Sequence, residues 1–131
     1  MPPKSKPKSR GEVYLQQLCY TTQQTASRVV NEYTVEEMRK RADLRNIAMN
    51  DLTLAERRKL LEQAIAQEMF ILEASQLTLE SPSNLHKLAR ACGLTPGKEF
   101  DSVHLAWEIA MIIVREQIPF RFTAQRKLII K

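Results

Sequence analysis

Hydrophobic residues recur along most of this chain at steps of three and four, the spacing of an amphipathic helix. The densest apolar stretch runs from Val103 to Val114, where only His104 and Glu108 interrupt the hydrophobic side chains. A helix that is apolar nearly all round must be covered on several sides. The pattern therefore predicts an all-α protein, a compact bundle of about five helices around a buried central helix at about 101–118.

Start and stop signals divide the rest of the periodic pattern into four further helices. Thr34 and Thr53 are each followed three residues later by a glutamate, the capping-box pattern of a helix start. Pro82 suits a first helical position and Gly93 a position just past a helix end. These signals predict helices at 11–33, 34–48, 53–79 and 82–92. The third has the widest apolar stripe, so we expect it to contact more than one neighbour.

Proline and basic residues set the two ends apart from the predicted domain at 11–118. The first ten residues, MPPKSKPKSR, have three prolines and four bases but no apolar side chain after Met1. Such a segment cannot offset the entropy lost on ordering, and it is interpreted as an extended arm or as a linker inside a longer polypeptide. Residues 119–131 are basic and partly apolar, and a strand, a short helix and an extended arm all remain open.

Charge is distributed unevenly along the 131 residues, whose formal net charge is +5. Four bases lie in the first ten residues and four in the last eleven, so the remaining 12 bases and all 15 acids leave the middle at −3. Two basic clusters stand out within that middle, at 39–41 and 57–59. Basic ends on a mildly acidic globule suit a polyanionic partner or an acidic protein surface.

The side chains needed for catalysis or metal binding are few and scattered. The chain has two histidines, no HExxH pattern and no glycine-rich phosphate loop. His104 and Glu108 are four residues apart on one helical face and could touch, but two groups do not make a metal site. We therefore expect His104 to be a structural histidine and the protein to be non-enzymatic, with no cofactor and no metal.

The cysteines and the apolar runs bear on the compartment. Cys19 and Cys92 lie among apolar residues without a spacing motif, so we expect buried free thiols in a reducing compartment. No apolar stretch follows the basic first residues, so no signal peptide is predicted. The run at 103–114 is shorter than the roughly 20 residues that cross a bilayer. A cytoplasmic protein without a membrane partner is expected.

The segment at 84–106, NLHKLARACGLTPGKEFDSVHLA, resembles a helix-turn-helix. Ala89 and Gly93 have the four-residue spacing that lets two helices approach and then turn. A recognition helix, however, should offer polar side chains to the major groove, and the helix that follows here is apolar nearly throughout. Core packing of two helices around a tight turn is the preferred interpretation.

Over its full length, the chain resembles the small subunits of CRISPR effector complexes. Five predicted helices, the leader MPPKSKPKSR and the basic clusters at 39–41 and 57–59 carry the resemblance. It implies a helical bundle without a catalytic site that serves antiviral defence. It also implies partners: other protein subunits, including copies of itself, and single-stranded DNA or RNA bound through basic helix faces within the complex.

The expected function is therefore that of a non-catalytic subunit of a nucleoprotein assembly, which contacts the nucleic-acid backbone without reading bases. Two alternatives remain: a helix-turn-helix regulator, and a protein–protein adaptor that would use the Gln/Thr-rich face of helix one or the apolar C-terminus. The candidate nucleic-acid-binding residues are Lys4, Lys6, Lys8, Arg10, Arg39, Lys40, Arg41, Arg45, Arg57, Arg58, Lys59, Arg126 and Lys127.

Overall fold

Five α-helices and one short antiparallel hairpin make up the part of the chain that the computed structural model describes, residues 10–131. The all-α prediction is confirmed. The elements are α1 (Arg10–Asn31), α2 (Val35–Leu44), α3 (Leu54–Ser75), a 3-10 turn (Leu77–Leu79), α4 (Pro82–Ala91), α5 (Ser102–Arg115), β1 (Phe120–Phe122) and β2 (Leu128–Ile130).

Helix α5 is largely buried, with Ala106, Ile109 and Ala110 fully covered, but α3 packs against more helices than α5 does. Helix α3 packs against α1, α2 and α5, as its wide apolar stripe indicated. Helix α5 packs on α3, α4 and the 3-10 turn but leaves one side uncovered, where Val103 is 63% exposed. Hydrophobicity alone did not show which sides of an apolar helix are covered. Within residues 10–131, no helix has the length and apolar character needed to cross a bilayer.

Two hydrophobic clusters divide the interior, and α3 contributes to both. The larger cluster joins the end of α3 to the 3-10 turn, α4, α5 and the hairpin. The smaller one joins α1, α2 and the first part of α3, and its buried members are Ala26, Val30, Met38, Leu61, Ile65 and Ala66. Ala26 on α1 and Ala66 on α3 are among these buried residues, and their small side chains suit the close packing of α1 along α3.

Threonine caps start both α2 and α3, as predicted. The hydroxyl oxygens of Thr34 and Thr53 accept hydrogen bonds from the backbone N–H groups of Glu37 and Glu56, at 3.1 and 3.2 Å. Each glutamate then accepts a hydrogen bond from the hydroxyl of its threonine, at 3.3 and 3.0 Å. The two carboxylates therefore stay at the positive ends of their helices, where the macrodipole favours them.

Three helices end in the same way, and this shortens α2 relative to the prediction. In the Schellman motif, a residue with positive φ turns the chain back and an apolar residue follows it. Gly93 takes this position after α4 with φ 85°, as predicted, and Asn46 and Gln117 take it after α2 and α5 with φ of 55° and 52°. Since Asn46 turns the chain, α2 ends at Leu44 rather than near residue 48, and Ile47 N–H bonds to Ala42 C=O at 2.9 Å.

The C-terminal segment is a hairpin of the same domain, so of the three conformations left open for 119–131 the structure has strands. Strands β1 and β2 pair antiparallel, with Phe122 opposite Leu128. Leu128 is 5% exposed within the larger cluster, and the Phe122 ring meets Phe70 of α3 edge-on with centroids 5.8 Å apart. The apolar C-terminus proposed as an adaptor surface is thus largely occupied by the protein's own core.

Candidate nucleic-acid interface

The predicted basic site divides into several separate environments. Lys4, Lys6 and Lys8 lie outside the described residues. Arg10 and Lys40 are exposed on α1 and α2. The other candidate cations, described below, are placed at the α2–α3 junction, in the core, in a groove beside α1, or at the hairpin end of the bundle.

Arg39 and Arg57 come together although 18 residues separate them in the sequence. Arg39 extends from α2 and Arg57 from the first turns of α3, and both line a small cavity of about 20 Å³ that also contacts Val35, Met38 and Met49. Helix α2 packs on the start of α3, which brings Arg57 of the second predicted cluster next to Arg39 of the first. We call Arg39, Lys40 and Arg57 the α2–α3 basic cluster.

Carboxylates do not neutralise the α2–α3 basic cluster within residues 10–131. The ion pairs in that part of the chain, with N–O distances up to 4.0 Å, involve Arg45, His104, Arg115 and Lys127. The nearest acids in sequence include Glu37 and Glu56, which face the capping threonines one turn earlier. Further acids follow the bases on both helices, Asp43 on α2 and Glu62 on α3, but within residues 10–131 neither lies within 4.0 Å of a cluster nitrogen.

Arg58 and Lys59 are on other sides of α3 from Arg57. Lys59 lines an open groove of about 560 Å³ between α1 and α3, where Glu62, Gln63 and Gln67 also lie. Arg58 is half-buried, and its Nε is a buried nitrogen without a hydrogen-bond partner in the described part of the chain. The predicted 57–59 cluster is therefore spread around the helix and contributes one arginine to the α2–α3 basic cluster.

Arg45 is a core residue, which corrects its prediction as a surface cation. It is 8% exposed, and its Nε and one terminal nitrogen donate to the fully buried Glu68 carboxylate at 2.6 and 2.9 Å. Its other terminal nitrogen donates to the Arg41 carbonyl oxygen at 2.8 Å. Burial raises the pKa of Glu68 above its ordinary value, whereas the hydrogen bond and charge of Arg45 oppose that rise.

A signal for this ion pair exists in the sequence. Glu68 falls on the same helical stripe as Leu61 and Ala64, seven and four residues earlier, where an unpaired carboxylate would not be tolerated. A charged residue in the middle of a buried stripe requires a partner. Arg45 could not be named as that partner from spacing alone, because the contact is long-range.

The basic residues of the hairpin hold it to the helices. The Arg126 guanidinium lies over the Tyr14 ring of α1, 3.9 Å from its centroid, and Lys127 Nζ is 3.1 Å from a Glu80 carboxylate oxygen. These contacts tie the hairpin to the start of α1 and to the segment before α4. Both cations have structural partners and lie at the end of α1 opposite the α2–α3 basic cluster.

Histidine and cysteine environments depart from the predictions in part. His104 Nε2 and Glu108 Oε1 are 2.8 Å apart, so the expected contact exists, but His104 is 69% exposed and is not a core residue. Cys19 is exposed rather than buried, whereas Cys92 is half-buried and burial raises its pKa to about 11. Both thiols are free. Residues 10–131 contain no group of three or more His, Cys, Asp or Glu placed to hold a metal ion.

The α4–α5 segment lacks the geometry of a helix-turn-helix. Ten residues, 92–101, connect the two helices, whereas the DNA-binding motif uses a turn of about three or four residues. Asp101 caps α5 by accepting from the backbone N–H groups of Val103 and His104, at 2.9 and 3.3 Å. The preferred interpretation of this segment, two packed helices, agrees with this arrangement, although the turn is long.

Comparison of the chain with protein-family models, with curated proteins and with solved structures found no match.

Proposed function

We propose that this protein is a non-catalytic, helical subunit of a nucleoprotein assembly that contacts the phosphate backbone of single-stranded DNA or RNA through its α2–α3 basic cluster. The supporting observation is the convergence of Arg39 and Arg57 at one cavity, without a carboxylate partner for either in the described residues. Cations without a carboxylate partner on two packed helices are suited to phosphates, because each contact releases a condensed counterion. Arg57 is also oriented by its Nε, which donates a hydrogen bond to the Leu52 carbonyl oxygen at 3.1 Å.

The resemblance to CRISPR small subunits belongs to this proposal, including the role in antiviral defence and the neighbouring subunits. The middle of the chain carries a net charge of −3, so the cluster is a local positive feature on a mildly acidic body. We therefore expect weak binding by the isolated protein that falls steeply with salt, and stronger binding where other subunits hold the strand in place.

Two triple variants that remove the same charge test the proposal. Arg39→Ala/Lys40→Ala/Arg57→Ala removes three bases of the cluster, and Lys87→Ala/Arg90→Ala/Lys98→Ala removes three exposed bases on α4 and the loop after it. Fluorescence anisotropy with a labelled single-stranded oligonucleotide at about 50 to 200 mM salt measures affinity and its salt dependence. Each lost phosphate contact lowers the slope of log K against log salt by about 0.7.

We expect the cluster variant to lose at least about tenfold in affinity at low salt and about 2 in slope, equally for oligonucleotides of different sequence. The α4 variant should keep most of the wild-type affinity. Equal losses in the two variants would show that only net charge matters, and wild-type binding by the cluster variant would refute the proposed interface.

A protein-binding adaptor remains the second candidate, and the uncovered side of α5 favours it. Val103 is 63% exposed there, and Trp107 and Met111 are half-buried on the same side. A pull-down with and without nuclease separates the two functions. Partners that survive digestion, together with no oligonucleotide binding at low salt, would favour the adaptor.

A further inference from the structure

Tyr33 and Arg41 form a stacked pair beside the α2–α3 basic cluster. The Arg41 guanidinium carbon lies 4.3 Å from the centroid of the Tyr33 ring. Tyr33 is half-buried against the smaller hydrophobic cluster, and its backbone N–H bonds to the Val30 carbonyl oxygen at 3.0 Å. The ring is therefore held in place by the fold, and it fixes the plane above which the guanidinium lies.

The Arg41 guanidinium has no carboxylate within 4.0 Å in residues 10–131. Glu37, one turn earlier on α2, would be the natural partner, but its carboxylate accepts a hydrogen bond from Thr34 instead. Arg41 is only half-buried. One side of the guanidinium faces the tyrosine, and the group remains partly open to solvent.

We propose that the Tyr33–Arg41 pair is a stacking platform for one unpaired nucleobase of a strand whose phosphates are held by Arg39 and Arg57. Bases stack on guanidinium planes as they do on aromatic rings, and a guanidinium backed by tyrosine is already ordered for that contact. The inference rests on the proposed function and makes the type of nucleic acid more specific. Bases inside a duplex have both faces covered by neighbouring bases and cannot stack on a protein group. The platform accepts only single strands or strand ends.

The contact with the ring favours stacking at Arg41 over a second phosphate contact. A guanidinium lying over a ring presents its plane, whereas a phosphate is bound through N–H groups at the edge. A second Arg–Tyr pair in residues 10–131, Arg126 over Tyr14, lies at the hairpin end, where it holds β-structure to α1. The Tyr33 pair differs from it because its arginine lies on α2, the helix that also carries Arg39.

The experiment compares two probes of about ten nucleotides that share a backbone and differ in their bases. One is single-stranded oligothymidylate and the other is an abasic oligomer of the same length. Arg41→Lys keeps the charge but removes the planar group, and Arg39→Lys makes the same change on the same helix away from the tyrosine. Tyr33→Phe keeps the ring, and Tyr33→Leu removes it.

We expect the wild type to bind oligothymidylate about fivefold more tightly than the abasic probe, the lower end of the range for one stacked base. Arg41→Lys and Tyr33→Leu should bring the ratio close to one while affinity for the abasic probe stays unchanged. Arg39→Lys and Tyr33→Phe should keep the wild-type ratio. Unchanged abasic binding also shows that the variants are folded.

Two results would overturn the inference in different ways. Equal wild-type binding of the two probes, or a ratio that survives Arg41→Lys, would remove the stacking platform and leave the backbone contact in place. Failure of the wild type to bind either probe at low salt would refute the proposed function, and the platform with it.

Discussion

Arg45→Met leaves the Glu68 carboxylate buried without its partner. In the native protein the carboxylate is fully buried and receives two hydrogen bonds from Arg45, which also donates to a carbonyl oxygen in the last turn of α2. Methionine has a similar length and no charge, so the substitution removes the ion pair while it retains much of the packing.

The expected loss is a large part of the total stability. Removal of one partner from a buried ion pair typically costs about 3–5 kcal/mol, against a total free energy of unfolding of about 5–15 kcal/mol for a domain. For a chain of this size, each kcal/mol shifts Tm by about 3–5 °C, so Tm should fall by about 10–25 °C. Replacing both partners, as in Arg45→Met/Glu68→Leu, should recover most of that loss.

The loss should depend on pH in a direction that follows from the pKa of Glu68. Burial raises this pKa above its ordinary value of 4.5. A carboxyl whose folded pKa lies above its unfolded pKa stabilises the fold fully below about pH 4.5, and that contribution is lost as the pH rises through the folded pKa. Arg45 opposes the rise. Without Arg45 the folded pKa rises further, so the variant should be more destabilised relative to wild type at about pH 8 than at about pH 5.

Urea denaturation measures this, followed by far-UV circular dichroism and by the fluorescence of Trp107, the single tryptophan. Wild type, the single variant and the double variant are compared at the two pH values. A loss below about 1 kcal/mol at both pH values would refute the reasoning that the pair is a buried, mutually required unit. A double variant as unstable as the single one would refute it as well.

Three further predictions test the rest of the fold. A thiol reagent at neutral pH should modify exposed Cys19 rapidly and half-buried Cys92, with its pKa of about 11, much more slowly; equal rates would contradict the described burial. Thr53→Ala should lower the free energy of unfolding by about 1 kcal/mol through loss of the α3 cap, whereas Thr53→Ser should be nearly neutral in the same denaturation assay. Leu128→Ala should cost about 2–5 kcal/mol if the hairpin is part of the core, and a change near zero would show that it is not.

The helices that the sequence predicted well are those whose ends carry unambiguous residues. Threonine caps located the starts of α2 and α3 because their hydroxyls accept hydrogen bonds from helix-terminal N–H groups, and Gly93 located the end of α4 because glycine readily adopts positive φ. The end of α2 was missed because Asn46 adopts positive φ while the apolar pattern continues past it. The hairpin stayed undecided because strands of three residues are too short to show alternation.

The position of each helix in the bundle depended on long-range contacts that periodicity does not contain. Apolar residues on α5 made it look central, but several of them remain partly exposed, whereas α3 is covered by three helices and contains a buried glutamate. For the basic site, the sequence identified which bases cluster along the chain. Arg45 and Arg57 could be separated only by the fold, which turns the first inward and the second toward Arg39.

The uneven division of the interior has a consequence for how ligands would be detected. Helix α2 contributes just two buried apolar side chains, Met38 and Ala42, whereas the larger cluster draws on α3, α4, α5 and the hairpin. Opening of the first turns of α2, with Arg45 still bound to Glu68, exposes little apolar area, so the amide hydrogens there should exchange with solvent through a low-cost local opening. A nucleic-acid strand that contacts both Arg39 on α2 and Arg57 on α3 would disfavour this local opening. Slower amide hydrogen exchange in α2 would therefore report nucleic-acid binding at a place remote from most of the core.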